Sequence, residues 1–298
     1  FAVYTGLTLL WTFMLTLAGM PGFDALAHAM TTLATGGYST KTASIGAFDS
    51  QTIELIIIAG MITGSLPFVH YLSLTRGGWK ALSEDPQLRW FILLIMLVII
   101  AITFNLNQNG ESWPSALRLS AFNAVSVITG TGYGTANFAV WGSSATTILL
   151  ICMFIGGCAG STTCGIKMLR LKVLAATIKI PLARLLRPHA VVLAYYNKRP
   201  VPENVMDAVM GFFYLYILCF VVLALLLGMF GLDFETALSG AATSISNVGP
   251  GLGNVIGPAG DFSSLPAAAK WAMCFGMLLG RLELFTVLVI LNPVFWRR

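Results

Sequence analysis

The chain has 298 residues, of which 57% are hydrophobic and 10% are charged, and its mean hydropathy is +0.82. Soluble domains contain about 45–50% apolar and about 25% charged residues, so this composition excludes an ordinary soluble protein and indicates a membrane protein. The five cysteines lie in apolar stretches without CxxC spacing, which argues against a zinc site or a disulfide framework.

Six apolar runs are long enough to cross a bilayer, which takes about 20 residues. They lie near residues 1–20, 53–74, 88–106, 145–170, 205–230 and 267–296. The first, third and fifth runs are each followed by a shorter, half-polar helical segment, namely FDALAHAMTTLA, SALRLSAFNAVSVI and FETALSGAATSIS. Segments of 10–14 residues are too short to cross and fit re-entrant helices. The predicted fold is an all-α polytopic membrane protein.

Each predicted re-entrant helix ends in a polar stretch that contains glycine: TGGYST (35–40), GTGYGT (130–135) and NVGPGLG (247–253). The unit of helix, half-helix, loop and helix therefore occurs three times. Its period is near 100 residues when Gly36, Gly132 and Gly249 are aligned. Internal repeats of this length in a membrane chain indicate pseudo-symmetry around a central pathway.

Irregular backbone at membrane depth is tolerated only where it is buried in protein or lines a watery cavity. Carbonyl groups from loops around an axis can replace the hydration shell of K⁺, and glycine lets the backbone approach the ion. A single loop of this kind is usually a simple turn, and a dinucleotide loop would need a preceding strand and an acidic partner. Three matched loops instead predict a cation filter made by Thr35, Gly36, Gly37, Thr131, Gly132, Tyr133, Val248, Gly249 and Pro250.

The net charge of +5 is unevenly distributed. Thirteen of the 17 lysines and arginines fall in 76–89, 167–199 and the last two residues, and the positive-inside rule makes these places cytoplasmic. Lys41, Arg118 and Lys270 remain on the opposite side, to which the three loops open. The basic residues therefore set the topology and do not indicate nucleic-acid binding.

Two features of the apolar runs are anomalous. Four glycines fall within 156–165, and glycine costs about 1 kcal/mol per site inside a helix, which predicts a broken helix. The alternative is close helix packing through small residues spaced like Gly156 and Gly160. Arg281 lies near the midpoint of the last run, where an arginine costs about 2.5–3.5 kcal/mol. This residue either serves the ion pathway or satisfies helix-end carbonyls.

The motifs ATGGYST, ITGTGYGT, ISNVGPGLG, GGCAGSTTCGIK and GRLELFT resemble those of the TrkH-type membrane subunits of bacterial Trk/Ktr potassium uptake systems. The resemblance extends over essentially the whole chain. It implies four helix–pore-loop–helix units around one K⁺ pathway in the bacterial inner membrane, with K⁺ as the transported ion and no organic cofactor. It also implies a homodimer and a TrkA-like cytosolic partner, a nucleotide-binding regulatory ring protein.

The same resemblance divides the chain. Residues 1–75 would be the second unit and 76–89 a cytoplasmic loop, followed by the third unit at 90–176. A basic cytoplasmic connection at 177–202 would lead to the fourth unit at 203–298, and the first unit is expected upstream.

The resemblance further implies an intramembrane gate below the filter. In this chain the gate would consist of Arg281 and the run Gly156, Gly157, Cys158, Ala159, Gly160, Ser161, Thr162, Thr163, Cys164 and Gly165.

Two other functions are left open. A Na⁺-permeable relative would replace a filter glycine by a polar residue, and the three visible loops keep glycine. An intramembrane cysteine peptidase would use Cys158 or Cys164 with a histidine base, but His70 lies in another run and His189 in a predicted cytoplasmic segment. The sequence does not decide between channel-like and ion-coupled transport.

Overall fold

The computed structural model describes residues 2–75, 78, 85–187, 192–197, 199–282, 284–291, 293 and 295–297. The regular secondary structure of the described chain consists of α-helices, short 3₁₀ turns and one antiparallel hairpin, in which β1 (Tyr195–Tyr196) pairs with β2 (Arg199–Pro200). This architecture confirms the predicted all-α membrane fold.

The first repeat contains four helices. They are α1 (Ala2–Leu17), the re-entrant α2 (Gly22–Leu33), α3 (Gln51–Gly64) and α4 (Phe68–Thr75). The Ser50 side chain caps α3 by accepting a hydrogen bond from the N–H group of Ile53. Helices α3 and α4 meet at an angle of 97°, so the chain turns sharply where one straight span was expected.

The second repeat has the same order of elements. Helix α5 (Pro86–Gln108) is followed by the re-entrant α6 (Trp113–Ile128), then by α7 (Ser143–Met153) and α8 (Met168–Leu186). Helix α5 has a well-defined N-terminus. Asp85 caps it, and Pro86 occupies its first position, where the missing N–H group is not needed.

The third repeat contains α9 (Glu203–Met229), the re-entrant α10 (Phe234–Ser246), the short α11 (Gly253–Ile256), α12 (Ala267–Arg281) and α13 (Leu284–Leu291). The Asp233 side chain caps α10. Hydrogen bonds from the side chain and the backbone of Thr236 hold the pKa of the Asp233 carboxyl below its ordinary value.

Two described helices, α5 and α9, are long and apolar enough to cross a membrane alone, and α3 with α4 forms a third span if the bent pair is counted as one. The apolar run at 53–74 is therefore bent into two helices. Pro67 lies between α3 and α4, directly before the first residue of α4. A proline lacks the N–H group that would continue the helical hydrogen bonds, so Pro67 favours the interruption at this place.

The re-entrant helices form the centre of the molecule. In α10 every residue from Thr236 to Ser246 is buried except Leu238, and the C-terminal half of α6 is buried to a similar degree. Many of these buried residues are small and polar, which allows close packing without bulky side chains. The second repeat packs between the other two, through α6 against α3 on one side and through α7 and α8 against α10 and α9 on the other.

An ion pair joins the first two repeats. Arg118 of α6 donates from Nε and Nη2 to the two carboxylate oxygens of Glu54 in α3, at 2.8 and 2.9 Å. The Glu54 side chain is only 4% exposed, so this two-pronged contact neutralises a buried charge.

Replacing Arg118 by leucine leaves the Glu54 carboxylate buried without its partner, which we expect to destabilise the protein by about 3 kcal/mol. The double variant Glu54→Gln/Arg118→Leu should recover part of that loss because no charge is then stranded. Chemical unfolding of the complete protein in mixed micelles measures both effects. Strictly additive losses would contradict a coupled pair.

Candidate ion pathway

The three loops leave their re-entrant helices with the same backbone conformation. In each loop one residue has a left-handed φ, and two positions later a glycine does so again; the pairs are Thr35 and Gly37, Gly130 and Gly132, and Asn247 and Gly249. The N–H group between them donates to the carbonyl five residues earlier, from Gly36 to Thr31, from Thr131 to Ser126 and from Val248 to Thr243, at 2.8, 3.0 and 3.0 Å. The loops are therefore equivalent position by position.

This equivalence corrects the register of the sequence alignment. Gly37, and not Gly36, is the counterpart of Gly132 and Gly249. The sequence TGGY offers two adjacent glycines, and the alignment chose the wrong one. A usable signal was present, because a hydroxyl residue precedes each of the three equivalent glycines by six positions, as Thr31, Ser126 and Thr243.

These hydroxyl groups fasten the loops. Thr31 Oγ1 donates to the Tyr38 carbonyl at 2.9 Å, and Ser126 Oγ donates to the Tyr133 carbonyl at 2.7 Å. In the third loop the direction is reversed, since Thr243 Oγ1 accepts a hydrogen bond from the Gly249 N–H group at 2.9 Å. Each loop is thus held to the last turns of its own helix.

Neighbouring loops touch through their backbones. A Cβ atom added to Gly37 would lie 1.7 Å from the Thr131 carbonyl oxygen, and one added to Gly132 would lie 1.9 Å from the Val248 carbonyl oxygen. No side chain fits at either place, and the left-handed φ at both residues also favours glycine. The contacts join the loops in chain order into an arc that carries backbone carbonyls, with Gly249 and Pro250 at its end.

Tyr133 ties the second loop to the first repeat through its side chain. The ring is 1% exposed, and the hydroxyl lies 2.6 Å from Thr31 Oγ1 and donates to the His28 carbonyl at 3.3 Å. Thr32 Oγ1 donates to the same phenolic oxygen at 3.3 Å. Sequence analysis selected Tyr133 for its backbone and missed this contact, which depends on the packing of two repeats.

Residues 154–167, the broken-helix segment, interrupt the second repeat between α7 and α8. Ile155 and Ile166 form a parallel bridge, in which the Gly156 N–H group donates to Ile166 and the Ile166 N–H group donates to Phe154. These hydrogen bonds hold the two ends of the segment side by side, so the residues between them form a loop. The chain is unwound here, as the glycine content predicted.

The tip of the broken-helix segment is fastened to the first repeat. Thr162 Oγ1 donates to the Leu33 carbonyl at the end of α2 and to the Gly64 carbonyl at the end of α3, at 2.9 and 3.0 Å. Thr35 Oγ1 donates to Thr162 Oγ1 at 3.3 Å. The tip therefore lies where α2 ends and its loop begins.

Arg281 reaches the same segment from the third repeat. It lies in the last turn of α12, and its Nη1 donates to the Thr162 carbonyl at 3.3 Å and to Cys164 Sγ at 2.9 Å. Arg281 was expected near the midpoint of the last apolar run, and in the structure it is the last residue of α12. The carbonyl that Arg281 contacts belongs to the broken-helix segment and not to the end of a helix.

Other residues of the segment form hydrogen bonds with one another and with residues of α4 and α5. Ser161 Oγ donates to the Cys158 carbonyl at 2.6 Å, and the Gly157 N–H group donates to Thr163 Oγ1 at 3.0 Å. The Ala159 N–H group donates to Gln87, and the Gly160 carbonyl accepts from Phe68. A polar cavity of about 240 Å³ lies beside the segment, lined by Gly165, Lys167, Arg170 and Arg281 among others.

The geometry does not favour cysteine chemistry. His70 pairs with Asp85 at 2.7 Å, while Cys164 is contacted by Arg281, and His189 lies outside the described residues. In the part of the chain that the structure describes, no three histidine, cysteine or acidic side chains form a metal-binding group.

Three re-entrant helices whose terminal loops meet backbone to backbone define a membrane protein of the pore-loop class. The family model TrkH, described as a cation transport protein, matches residues 2–295. The chain belongs to this TrkH family.

Several relatives are similar along the whole chain. The Trk system potassium uptake protein TrkI of Halomonas elongata is 44% identical over 100% of this chain and 61% of its own length. TrkH of Salmonella typhimurium is 39% identical over 99% of this chain and 61% of its own length. The crystal structure of the potassium transporter TrkH from Vibrio parahaemolyticus gives a TM-score of 0.92 at 38% identity, covering 99% of this chain and 64% of that one. The chain thus spans about three fifths of the curated relatives that it matches.

The corrected register predicts that substitutions of the adjacent residues Gly36 and Gly37 have different effects on folding. Gly37→Ala should prevent the backbone contact between the first two loops, because the methyl group would collide with the Thr131 carbonyl. The yield of folded protein should therefore fall. Gly36→Ala is the matched control, since a Cβ atom there meets nothing nearer than 3.5 Å. Size-exclusion profiles and thermal stability of the two complete proteins measure the difference. Equal size-exclusion profiles and equal thermal stabilities would contradict the corrected register and support the alignment through Gly36.

Proposed function

We propose that this chain forms most of a potassium-selective pore, through which a Trk-type uptake system moves K⁺ across the bacterial inner membrane without covalent chemistry. The observation that carries the proposal is the arc of three equivalent loops in backbone contact at Gly37 and Gly132. Similar proteins bear the name Trk system potassium uptake protein, which supports K⁺ as the transported ion.

The filter in this proposal is made by backbone carbonyls of the nine selected loop residues. Carbonyl oxygens in a ring can replace the hydration shell of K⁺. The ends of re-entrant helices α2, α6 and α10 direct their partial negative charge toward the loops, which also favours a cation. Glycine at the equivalent position of each visible loop agrees with potassium preference rather than with a Na⁺-permeable relative.

A fourth loop would complete the ring. In the described chain, a Cβ atom on Gly249 would meet only Gly132, at 3.8 Å, so the third loop has no following loop at its own glycine. We propose that the part of the complete protein outside this chain supplies the first helix–pore-loop–helix unit and fills that place, as the division of the chain at 1–75, 90–176 and 203–298 implies. Without it, polar backbone would face lipid at membrane depth.

The assembly in this proposal is the one that the family resemblance implies. A TrkA-like ring protein that binds nucleotides would dock from the cytosol, and two pores would form a homodimer. The basic connection at 177–202 supports a cytosolic contact by its charge, because five lysines and arginines fall within it.

Selectivity tests the pore assignment. Gly132→Ser in the complete protein should lower the yield of folded protein, because its Cβ atom would lie 1.9 Å from the Val248 carbonyl oxygen. In the fraction that folds, it should lower the preference for K⁺ over Na⁺ by roughly an order of magnitude, which corresponds to about 1.4 kcal/mol. Gly134→Ser is the control, because a Cβ atom there has no contact nearer than 3.8 Å. Rubidium and sodium flux into reconstituted vesicles measures both variants. Unchanged selectivity in well-folded Gly132→Ser protein would remove the filter assignment.

The broken-helix segment and Arg281 form the gate in this proposal. Their support is geometric, since Thr162 is fastened to the first repeat and Arg281 holds the Thr162 carbonyl from the third. If Arg281 lies about 8 Å from K⁺ in the path, the repulsion is roughly 2 kcal/mol at an effective dielectric near 20. That energy slows passage about thirtyfold.

Releasing the gate should raise flux in the absence of a cytosolic partner. Arg281→Ala removes the charge, and Thr162→Val removes the hydroxyl anchor while keeping the side-chain volume. We expect up to thirtyfold faster rubidium uptake from the first, a smaller gain from the second, and unchanged ion preference in both. Lys270→Ala, on the outer side, is the charge control. Wild-type or lower flux in both folded variants would return Arg281 to a structural role.

A further inference from the structure

An apolar groove with two lysines lies on the second repeat, away from the loops. It has a volume of about 530 Å³ and runs between α5 and α8 to the β1–β2 hairpin. Trp90, Leu93 and Leu97 of α5 form one wall, and Lys172 and Lys179 of α8 belong to the other. This volume is within the range of about 300–1,000 Å³ that is typical of small-molecule sites.

The groove opens on the outer surface of the helix assembly, on the side that faces away from the pore. The first and third repeats cover the two flanks of the second repeat, so the proposed first unit, outside this chain, would fill the gap between these outer repeats and not this side. The apolar wall continues along α5 as a stripe with every member at least 47% exposed, made by Trp90, Leu93, Leu97, Ile100 and Phe104. A stripe of this length on a membrane-crossing helix is the surface that lipid chains contact.

The charges mark the cytoplasmic end of the groove. Helix α8 leads into the basic connection at 177–202, which the positive-inside rule places in the cytoplasm. Lys172 Nζ lies 5.1 Å above the Trp90 ring, and Lys179 follows two helical turns later, about 10 Å along the axis. No carboxylate is among the groove's described lining residues. Asp85, which acts electrostatically on Lys172, is already paired with His70.

We propose that the groove binds an anionic phospholipid of the cytoplasmic leaflet. The phosphate would lie between Lys172 and Lys179, near the exposed hydroxyl-bearing ring of Tyr195, and an acyl chain would follow Trp90, Leu93 and Leu97. Basic pockets between helices on the cytoplasmic side suit anionic headgroups, and tryptophan suits the interface between headgroups and chains.

A second copy of the chain fits this groove less well. In a two-fold dimer within a membrane, the same surface meets itself at the same depth. The lysines of both copies would then face one another without intervening carboxylates, and like charges across an interface are unfavourable. An anionic headgroup complements these charges.

Lipid binding to the complete protein in detergent tests the proposal. Native mass spectrometry should show retention of phosphatidylglycerol over phosphatidylcholine, and phosphatidylglycerol should raise the melting temperature. Lys172→Gln/Lys179→Gln should weaken that retention roughly thirtyfold, equivalent to about 2 kcal/mol for two lysines. Ala175→Phe, which fills the groove without changing charge, should abolish it. Lys270→Gln is the control and should bind as the wild type does.

Other outcomes overturn the proposal. They are equal retention of the two lipids by the wild type, undiminished phosphatidylglycerol binding in Ala175→Phe, or full displacement by millimolar inorganic phosphate, which would indicate a free-anion site. A change of oligomeric state in Ala175→Phe with no loss of lipid would indicate a second copy in the groove. If the double lysine variant does not fold, the wild-type lipid comparison and Ala175→Phe still decide.

Discussion

The close approach of backbone to backbone at Gly37 and Gly132 is the contact on which the rest of this structure depends. Polar backbone cannot be left unsatisfied at membrane depth, so each loop must be covered by its own helix and by the next loop. The carbonyls of Thr131 and Val248 fill the space that a side chain would take. Small buried residues in the re-entrant helices follow from this requirement, because bulkier helices would hold the loops apart.

The second helix is interrupted after Gly64 in the first repeat and between Met153 and Met168 in the second, and in the third repeat α12 ends at Arg281. In the first two repeats the interrupted ends are joined by the hydrogen bonds of Thr162, and Arg281 binds the broken-helix segment from the end of α12. Free carbonyls at the helix ends are thus used to bind one repeat to another, so a break that costs stability inside one helix gains contacts between repeats.

This arrangement links the candidate gate to the candidate filter directly. Thr162 bonds the carbonyl of Leu33, two residues before Thr35, whose own hydroxyl also reaches Thr162. Displacing the broken-helix segment would therefore remove hydrogen bonds from the base of the first loop. A change at the cytoplasmic side that moves α8 could act on the loops through this connection, because α8 begins where the segment ends. Lipid bound in the proposed groove on α8 would bias the same element.

The sequence by itself determined the membrane class, the re-entrant helices and their loops, and the broken helix at 156–165. These features depend on apolar length, on short half-polar segments and on glycine content, which are local properties. Tertiary structure alone decided that Gly37 contacts the Thr131 carbonyl, that Tyr133 bonds to the first repeat, and that Arg281 bonds to the broken-helix segment. Each of these depends on distances between repeats that are about 100 residues apart in the chain. The spacing from the preceding hydroxyl residue marks the register of Gly37 in the sequence, but only the folded protein shows which carbonyl is brought against it.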